Sequence, residues 1–255
     1  MQKRPWIGTS WKMNKTIAEA DAFCETLKAS DRSRRSDDAQ LFVIPPFTVL
    51  HRVAEHLKET DVIVGAQNAH WKDAGAWTGE VSVPQVRDCG AALVEIGHSE
   101  RRTYFNETDE TVALKTAAVV RHGLTALVCI GDTREEYDAG RTEEALERQV
   151  LAAISEVDWA SGAKVILAYE PVWSIGEGGT PAEPDFADAQ HKRIKALTAD
   201  KLGASLSVVY GGSVNPGNCV DLALCEHIDG LFIGRSAWNA DGYLGIVADV
   251  TAALG

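Results

Sequence analysis

Eight short apolar runs, each followed by a turn signal and then an amphipathic stretch, recur along the 255-residue chain. They are Trp6-Ile7-Gly8, Leu41-Phe42-Val43-Ile44, Val62-Ile63-Val64-Gly65, Ala92-Leu93-Val94-Glu95-Ile96, Leu124 to Ile130, Val165 to Tyr169, Leu206 to Tyr210 and Gly230 to Ile233. The first helix is predicted to open at Thr16-Ile17-Ala18-Glu19, which has capping-box spacing, and to run to about Ala29. Further helices are predicted over Thr48 to Lys58, Asp109 to His122, Arg134 to Glu156, Phe186 to Lys201 and Gly245 to Leu254. Residues 67–80 read as a long aromatic loop.

Continuous apolar strands that alternate with helices indicate a parallel sheet covered by those helices. Eight units of roughly 32 residues fit a (β/α)8 TIM barrel, an α/β fold whose usual length is about 250 residues. The expectation is one domain over residues 1–255. An open doubly wound sheet would carry a Gly-rich dinucleotide turn after its first strand. Here that turn is Gly8-Thr9-Ser10-Trp11-Lys12, without G-x-G-x-x-G.

Composition removes several classes of function. With 25 Lys and Arg against 37 Asp and Glu, the net charge of −12 opposes a nucleic-acid footprint. The short run Arg32-Ser33-Arg34-Arg35, followed by Asp37-Asp38, reads as a solvated loop. No stretch approaches the roughly 18 apolar residues of a membrane span. The N-terminus has no apolar signal region, so a cytoplasmic enzyme is expected. Cys24, Cys89, Cys129, Cys219 and Cys225 show no C-x-x-C spacing, and the histidines show no H-x-x-x-H pair, so neither disulfides nor a metal is expected.

In such a barrel the reacting groups lie just beyond the C-terminal ends of the strands. Lys12 follows the first strand, His98 the fourth and Glu170 the sixth. Singly, each reads as a surface or scaffolding residue; together at one end they make a cation, an electrophile and a base. Gly211-Gly212-Ser213 and Gly234-Arg235-Ser236 follow the last two strands, where barrels bind phosphate through backbone N–H groups. The glycines of Ile175-Gly176-Glu177-Gly178-Gly179-Thr180, just after Glu170, suit a mobile lid that excludes water.

The segments Trp11-Lys12-Met13-Asn14, Gly65-Ala66-Gln67-Asn68, Gly97-His98-Ser99-Glu100-Arg101-Arg102, Cys129-Ile130-Gly131, Tyr169-Glu170-Pro171-Val172-Trp173 and Tyr210-Gly211-Gly212-Ser213-Val214 occur in this order over nearly the whole chain. Together they resemble the triosephosphate isomerase superfamily. The resemblance implies that Lys12 is the electrostatic lysine, His98 the electrophile, Glu170 the base and Glu100 a supporting acid. It also implies a lid over residues 171–181, including Pro171, Val172, Trp173, Ser174, Ile175, Glu177 and Gly178. Gly176, Ser213 and Gly234 would supply phosphate-binding N–H groups, with no cofactor. The loop 67–80, with Trp71, Trp77 and Thr78, would build a homodimer in which Thr78 enters the neighbouring subunit.

Three positions depart from the family pattern. Ser10 stands where Asn is expected, Ser174 where the lid has Ala, and Gly234-Arg235-Ser236-Ala237 where Gly-Gly-Ala-Ser is usual. This pattern resembles the tetrulose-phosphate branch, which acts in erythritol catabolism and interconverts L-erythrulose 1-phosphate and D-erythrulose 4-phosphate. That substrate is dihydroxyacetone phosphate with a hydroxymethyl group on the reacting carbon. Ser10 would leave room for this group and Arg235 would add charge near the phosphate. The alternative is interconversion of glyceraldehyde 3-phosphate and dihydroxyacetone phosphate. In either case Glu170 moves the proton, Lys12 stabilises the enediolate, and His98 is kept neutral by a helical turn at Ser99-Glu100-Arg101.

Overall fold

The computed structural model describes residues 4–35, 37–176 and 179–255, so the lid residues Glu177 and Gly178 lie outside the described residues. Eight parallel strands close into a barrel in chain order. They are β1 (Trp6–Ser10), β2 (Gln40–Ile44), β3 (Ile63–Ala66), β4 (Leu93–Ile96), β5 (Thr125–Ile130), β6 (Val165–Tyr169), β7 (Ser207–Tyr210) and β8 (Gly230–Ile233). β1 pairs with both β2 and β8, which leaves the sheet without an edge. The helices are α1 (Ile17–Ala29), α2 (Leu50–Leu57), α3 (Val83–Asp88), α4 (Ser99–Tyr104), α5 (Asp109–Arg121), α6 (Arg134–Asp138), α7 (Thr142–Ser155), α8 (Pro184–Leu202), α9 (Cys219–Leu224) and α10 (Ala240–Leu254).

Strand side chains alternate between two apolar layers. One layer, between sheet and helices, takes Ile7, Val43, Val94, Ile96, Val128, Leu167 and Val208. The other fills the barrel with Phe42, Ile44, Leu93, Leu127, Cys129, Ile166, Ala168, Val209 and Phe232. Phe42 and Phe232 stack with centroids 5.7 Å apart. Gly8 is needed beside them, because a Cβ there would overlap the Phe42 ring. Continuing the inward register upward reaches Ser10, Glu95, Glu170, Gly211 and Gly234.

The capping box at Thr16 forms as expected, with Glu19 returning to the Thr16 N–H at 2.7 Å. The helix expected over Arg134 to Glu156 is two helices. The first is capped by Thr133 and ends before Gly140, which turns the chain at φ +68°. Ser82 starts an unexpected helix, α3, through a capping box with Gln85. α10 begins at Ala240 rather than Gly245, because the Asn239 side chain accepts from the Gly242 N–H at 2.6 Å. The run Arg32 to Arg35 is only partly solvated. Asp31–Arg34 forms a 3-10 turn, Ser33 is buried, and Arg32 Nη1 donates to Thr251 Oγ1 at 2.7 Å. Among the described residues no helix is long and apolar enough to cross a membrane.

Candidate active site

At the C-terminal end of the barrel a cavity of ≈ 320 Å³ is lined by Ser10, Lys12, His98, Glu100 and Glu170. Its far wall is formed by Gly176, Ser213, Gly234 and Arg235. Residues from five strand ends thus meet in one space, within the usual range of small-ligand sites at about 300–1,000 Å³.

Lys12 reaches the cavity from a left-handed backbone, φ +53°, which is costly for a side-chain-bearing residue. The surroundings hold it there. The Trp11 N–H donates to the Ile44 carbonyl at 3.0 Å, and Gln67 Nε2 donates to the Lys12 carbonyl at 2.9 Å. Lys12 Nζ lies 2.7 Å from Glu100 Oε1. Burial lowers the lysine pKa, but this contact and the charges of Glu100, Glu170 and Glu95 outweigh it, so Lys12 is held above its ordinary value as a cation.

His98 caps α4, and its Nδ1 accepts the Glu100 N–H at 3.1 Å. That bond uses Nδ1 as an acceptor and leaves Nε2 as the ring atom facing Glu170. Nε2 lies 3.7 Å from Glu170 Oε1. The segment is braced from behind. Glu107 accepts from the Gly97 N–H (3.0 Å), Arg101 Nε (2.7 Å) and Lys115 Nζ (2.8 Å).

Glu170 follows β6 in the inward register and is only 3% exposed. Its N–H donates to the Ile130 carbonyl at 2.8 Å. Among the described residues no donor reaches the buried Glu170 Oε2, and the residue as a whole lines the cavity. Two glycines permit this pose. A Cβ on Gly131 would overlap the Glu170 carbonyl, and one on Gly211 would crowd its side chain.

A triosephosphate isomerase family model matches residues 5–250. The chain belongs to the triosephosphate isomerase family. It is 57% identical over 244 residues to an L-erythrulose-1-phosphate isomerase of Brucella abortus, covering 95% of each chain. It is 56% identical over 252 residues to one of Rhizobium rhizogenes, covering 98% of this chain and 96% of that one. A Rhizobium meliloti relative of the same name is 55% identical over 250 residues, with 98% of each chain covered.

In this member of the triosephosphate isomerase family, two residues at the site were not singled out from sequence. Asp132, fully buried after β5, accepts from Thr142 Oγ1 (2.7 Å), Tyr169 Oη (3.0 Å) and Trp173 Nε1 (3.1 Å). It ties the residues just after β6 to the barrel, and the Val172 N–H adds a bond to its carbonyl at 3.0 Å. Glu95 is also buried and accepts from Ser10 Oγ at 2.8 Å. Burial pushes its carboxyl up to about 7, Glu170 pushes the same way, and His98, Ser10 and Lys12 pull back. A glutamate at an inward position of an otherwise apolar strand was a readable signal for Glu95. Asp132 had none, since its three donors lie 10, 37 and 41 residues further along the chain.

The expected lid residues divide by position. Ile175 and Gly176 line the cavity, and Gly176 has φ +84°. Trp173 instead packs on Tyr137, with centroids 4.4 Å apart, and on Phe186. Ser174 Oγ donates to the Pro171 carbonyl at 2.8 Å. In the aromatic loop, His70 stacks on Trp71 at 4.0 Å and packs at a tilt against Trp77 at 4.4 Å. Trp71 then packs on the core, while Trp77 and Thr78 stay exposed.

Proposed function

We propose that this protein is a cofactor-independent isomerase that interconverts L-erythrulose 1-phosphate and D-erythrulose 4-phosphate. The observation that carries the chemistry is the buried Glu170 carboxylate, whose Oε1 lies 3.7 Å from the Nε2 of His98 at a cavity that Lys12 also lines. The relatives described above, matched over nearly their full lengths, are named for the tetrulose phosphate rather than a triose phosphate.

Glu170 takes the proton from C3, and the C–H electron pair becomes the C2–C3 double bond as the C2 carbonyl oxygen gains charge. Lys12 stabilises that charge electrostatically. His98 donates from Nε2 to the C2 oxygen and takes the proton of the C3 hydroxyl, which transposes the enediolate. Glu170 then returns its proton to C2 while the C3 carbonyl forms. The N–H groups around Gly176, Ser213 and Gly234, with Arg235 at the rim, hold the phosphate. Lid residues 171–181 close over the enediolate so that water and phosphate loss are kept out.

We also infer a homodimer. Met13, Phe47, Trp77, Tyr104 and Phe105 are exposed apolar side chains, and all lie in the segments that follow the first four strands. Exposed apolar side chains at one end of the barrel suit an interface, and Thr78, next to Trp77 in the chain, is exposed as well. The inferred partner in solution is a small phosphorylated sugar, not nucleic acid or membrane, and the inferred compartment is the cytoplasm, where free cysteines such as Cys24 and Cys129 persist.

The test is to measure kcat/KM for L-erythrulose 1-phosphate and for dihydroxyacetone phosphate with one preparation. The tetrulose phosphate is expected to be strongly preferred. Equal turnover of the two would defeat the assignment of substrate.

A further inference from the structure

Ser10 lines the cavity, yet its hydroxyl proton is directed to a residue outside the lining, Glu95, whose Oε2 lies at 2.8 Å. Among the described residues Ser10 is the one hydrogen-bond donor to the Glu95 carboxylate. A serine whose O–H is engaged in this way presents only lone pairs to a ligand. It therefore favours a ligand O–H at that spot and disfavours an anionic oxygen. Of the two candidate substrates, the tetrulose phosphate alone carries a terminal hydroxymethyl group on the reacting carbon, and that group supplies such a donor.

We propose that Glu95 is a specificity-determining positioning residue, which holds Ser10 as an acceptor for the terminal hydroxymethyl O–H of a four-carbon ketose phosphate. The inference rests on the tetrulose-phosphate reading above. It also accounts for a carboxylate kept 2% exposed in the inward register above Leu93, where an apolar residue would cost nothing in desolvation. Glu95 acts through Ser10 rather than on the reacting atoms.

The titratable groups facing Glu95 are Lys12 beyond β1, His98 beyond β4, Cys129 on β5 and Glu170 beyond β6. As pH falls through about 7 the Glu95 carboxyl gains a proton and can itself donate to Ser10. Ser10 is then free to turn its own hydroxyl into the cavity, and discrimination weakens. Both substrates carry a phosphate, so the ratio of their constants removes the titration of that group.

The experiment compares wild type with S10A, S10T and E95L. It reads kcat/KM for L-erythrulose 1-phosphate, the inhibition constant of dihydroxyacetone phosphate against that reaction, and the thermal midpoint. S10A and E95L, which removes the acceptor of the Ser10 O–H altogether, are expected to lower tetrulose kcat/KM by about 10- to 100-fold, the range for losing one hydrogen bond in a charged pair. Affinity for dihydroxyacetone phosphate should fall by much less, and S10T should restore most of the loss. E95L should melt no lower than wild type at pH 7, and its substrate ratio should lose its dependence on pH near neutrality. Equal losses for both ligands accompanied by a lower midpoint, or an unchanged tetrulose kcat/KM in E95L, would overturn the role of Glu95. A wild-type enzyme with no tetrulose-phosphate activity would instead overturn the functional assignment, and this inference with it.

Discussion

Gly211 sits against Glu170 so closely that a Cβ at Gly211 would lie 2.7 Å from Glu170 Cγ and 3.2 Å from Oε1. The turn after β7 therefore shapes the position of the residue after β6. Gly211 does not have the left-handed φ that would penalise alanine. Gly211→Ala should fold and displace only the carboxylate. A shift approaching 1 Å in a reacting group costs about 100-fold, so kcat should drop by about 10- to 100-fold with little change in melting temperature. Steady-state kinetics beside a thermal melt will decide it.

Glu170→Asp withdraws the same carboxylate by one methylene without adding bulk. If Glu170 serves the transition state rather than binding, kcat should fall by about 100-fold or more while KM moves only a few-fold. An unchanged kcat would remove Glu170 from the role of base.

Asp132 predicts a linked loss of stability and lid order. Asp132→Ala strands the donors of Thr142, Tyr169 and Trp173, and each buried donor left unpaired costs about 1–3 kcal/mol. The melting temperature should fall by several degrees, the fluorescence of Trp173 should change, and KM should rise as the start of the lid loosens. Wild-type KM in a correctly folded Asp132→Ala enzyme would show that this anchor does not govern closure.

Two buried carboxylates give opposite pH dependences. For Glu107, burial alone would raise the pKa, but Lys115 and Arg101 overcome it and hold the group below its ordinary value of 4.5. Its contribution to stability is present above 4.5 and is lost as pH falls through the depressed value. Glu95, raised to about 7, contributes stability below 4.5 that is lost as pH rises through 7. Its magnitude is at most about 3 kcal/mol. Chemical denaturation across pH should therefore show stability declining between pH 4.5 and 7 in wild type and not in Glu95→Gln, while Glu107→Gln should flatten only the acid limb.

The barrel was legible because its signals are local. Alternation of short apolar runs with capped helices needs only neighbouring residues, and β6 and β8 fall where the runs Val165 to Tyr169 and Gly230 to Ile233 place them. That Lys12, His98 and Glu170 meet was legible because barrel geometry delivers residues just past the strand ends to one space. Legibility failed where a local signal was weak or a partner distant. The break between α6 and α7 turns on a single glycine, Gly140, inside an otherwise helical pattern. Asp132 acquires its meaning from Thr142, Tyr169 and Trp173, none of which marks it in sequence.

By itself, then, the sequence determined the eight-unit barrel, the end at which its strand-end polar residues meet and the family pattern, because periodicity and turn residues act over a few positions. Only the tertiary structure decided that Ser10 and Glu95, 85 residues apart, share a hydrogen bond across the barrel. It also decided that Lys12 stays charged while Glu95 is pushed toward neutrality. Those properties come from closing the sheet: ring closure brings inward side chains of separate strands together, and exclusion of water there makes each charge depend on the others.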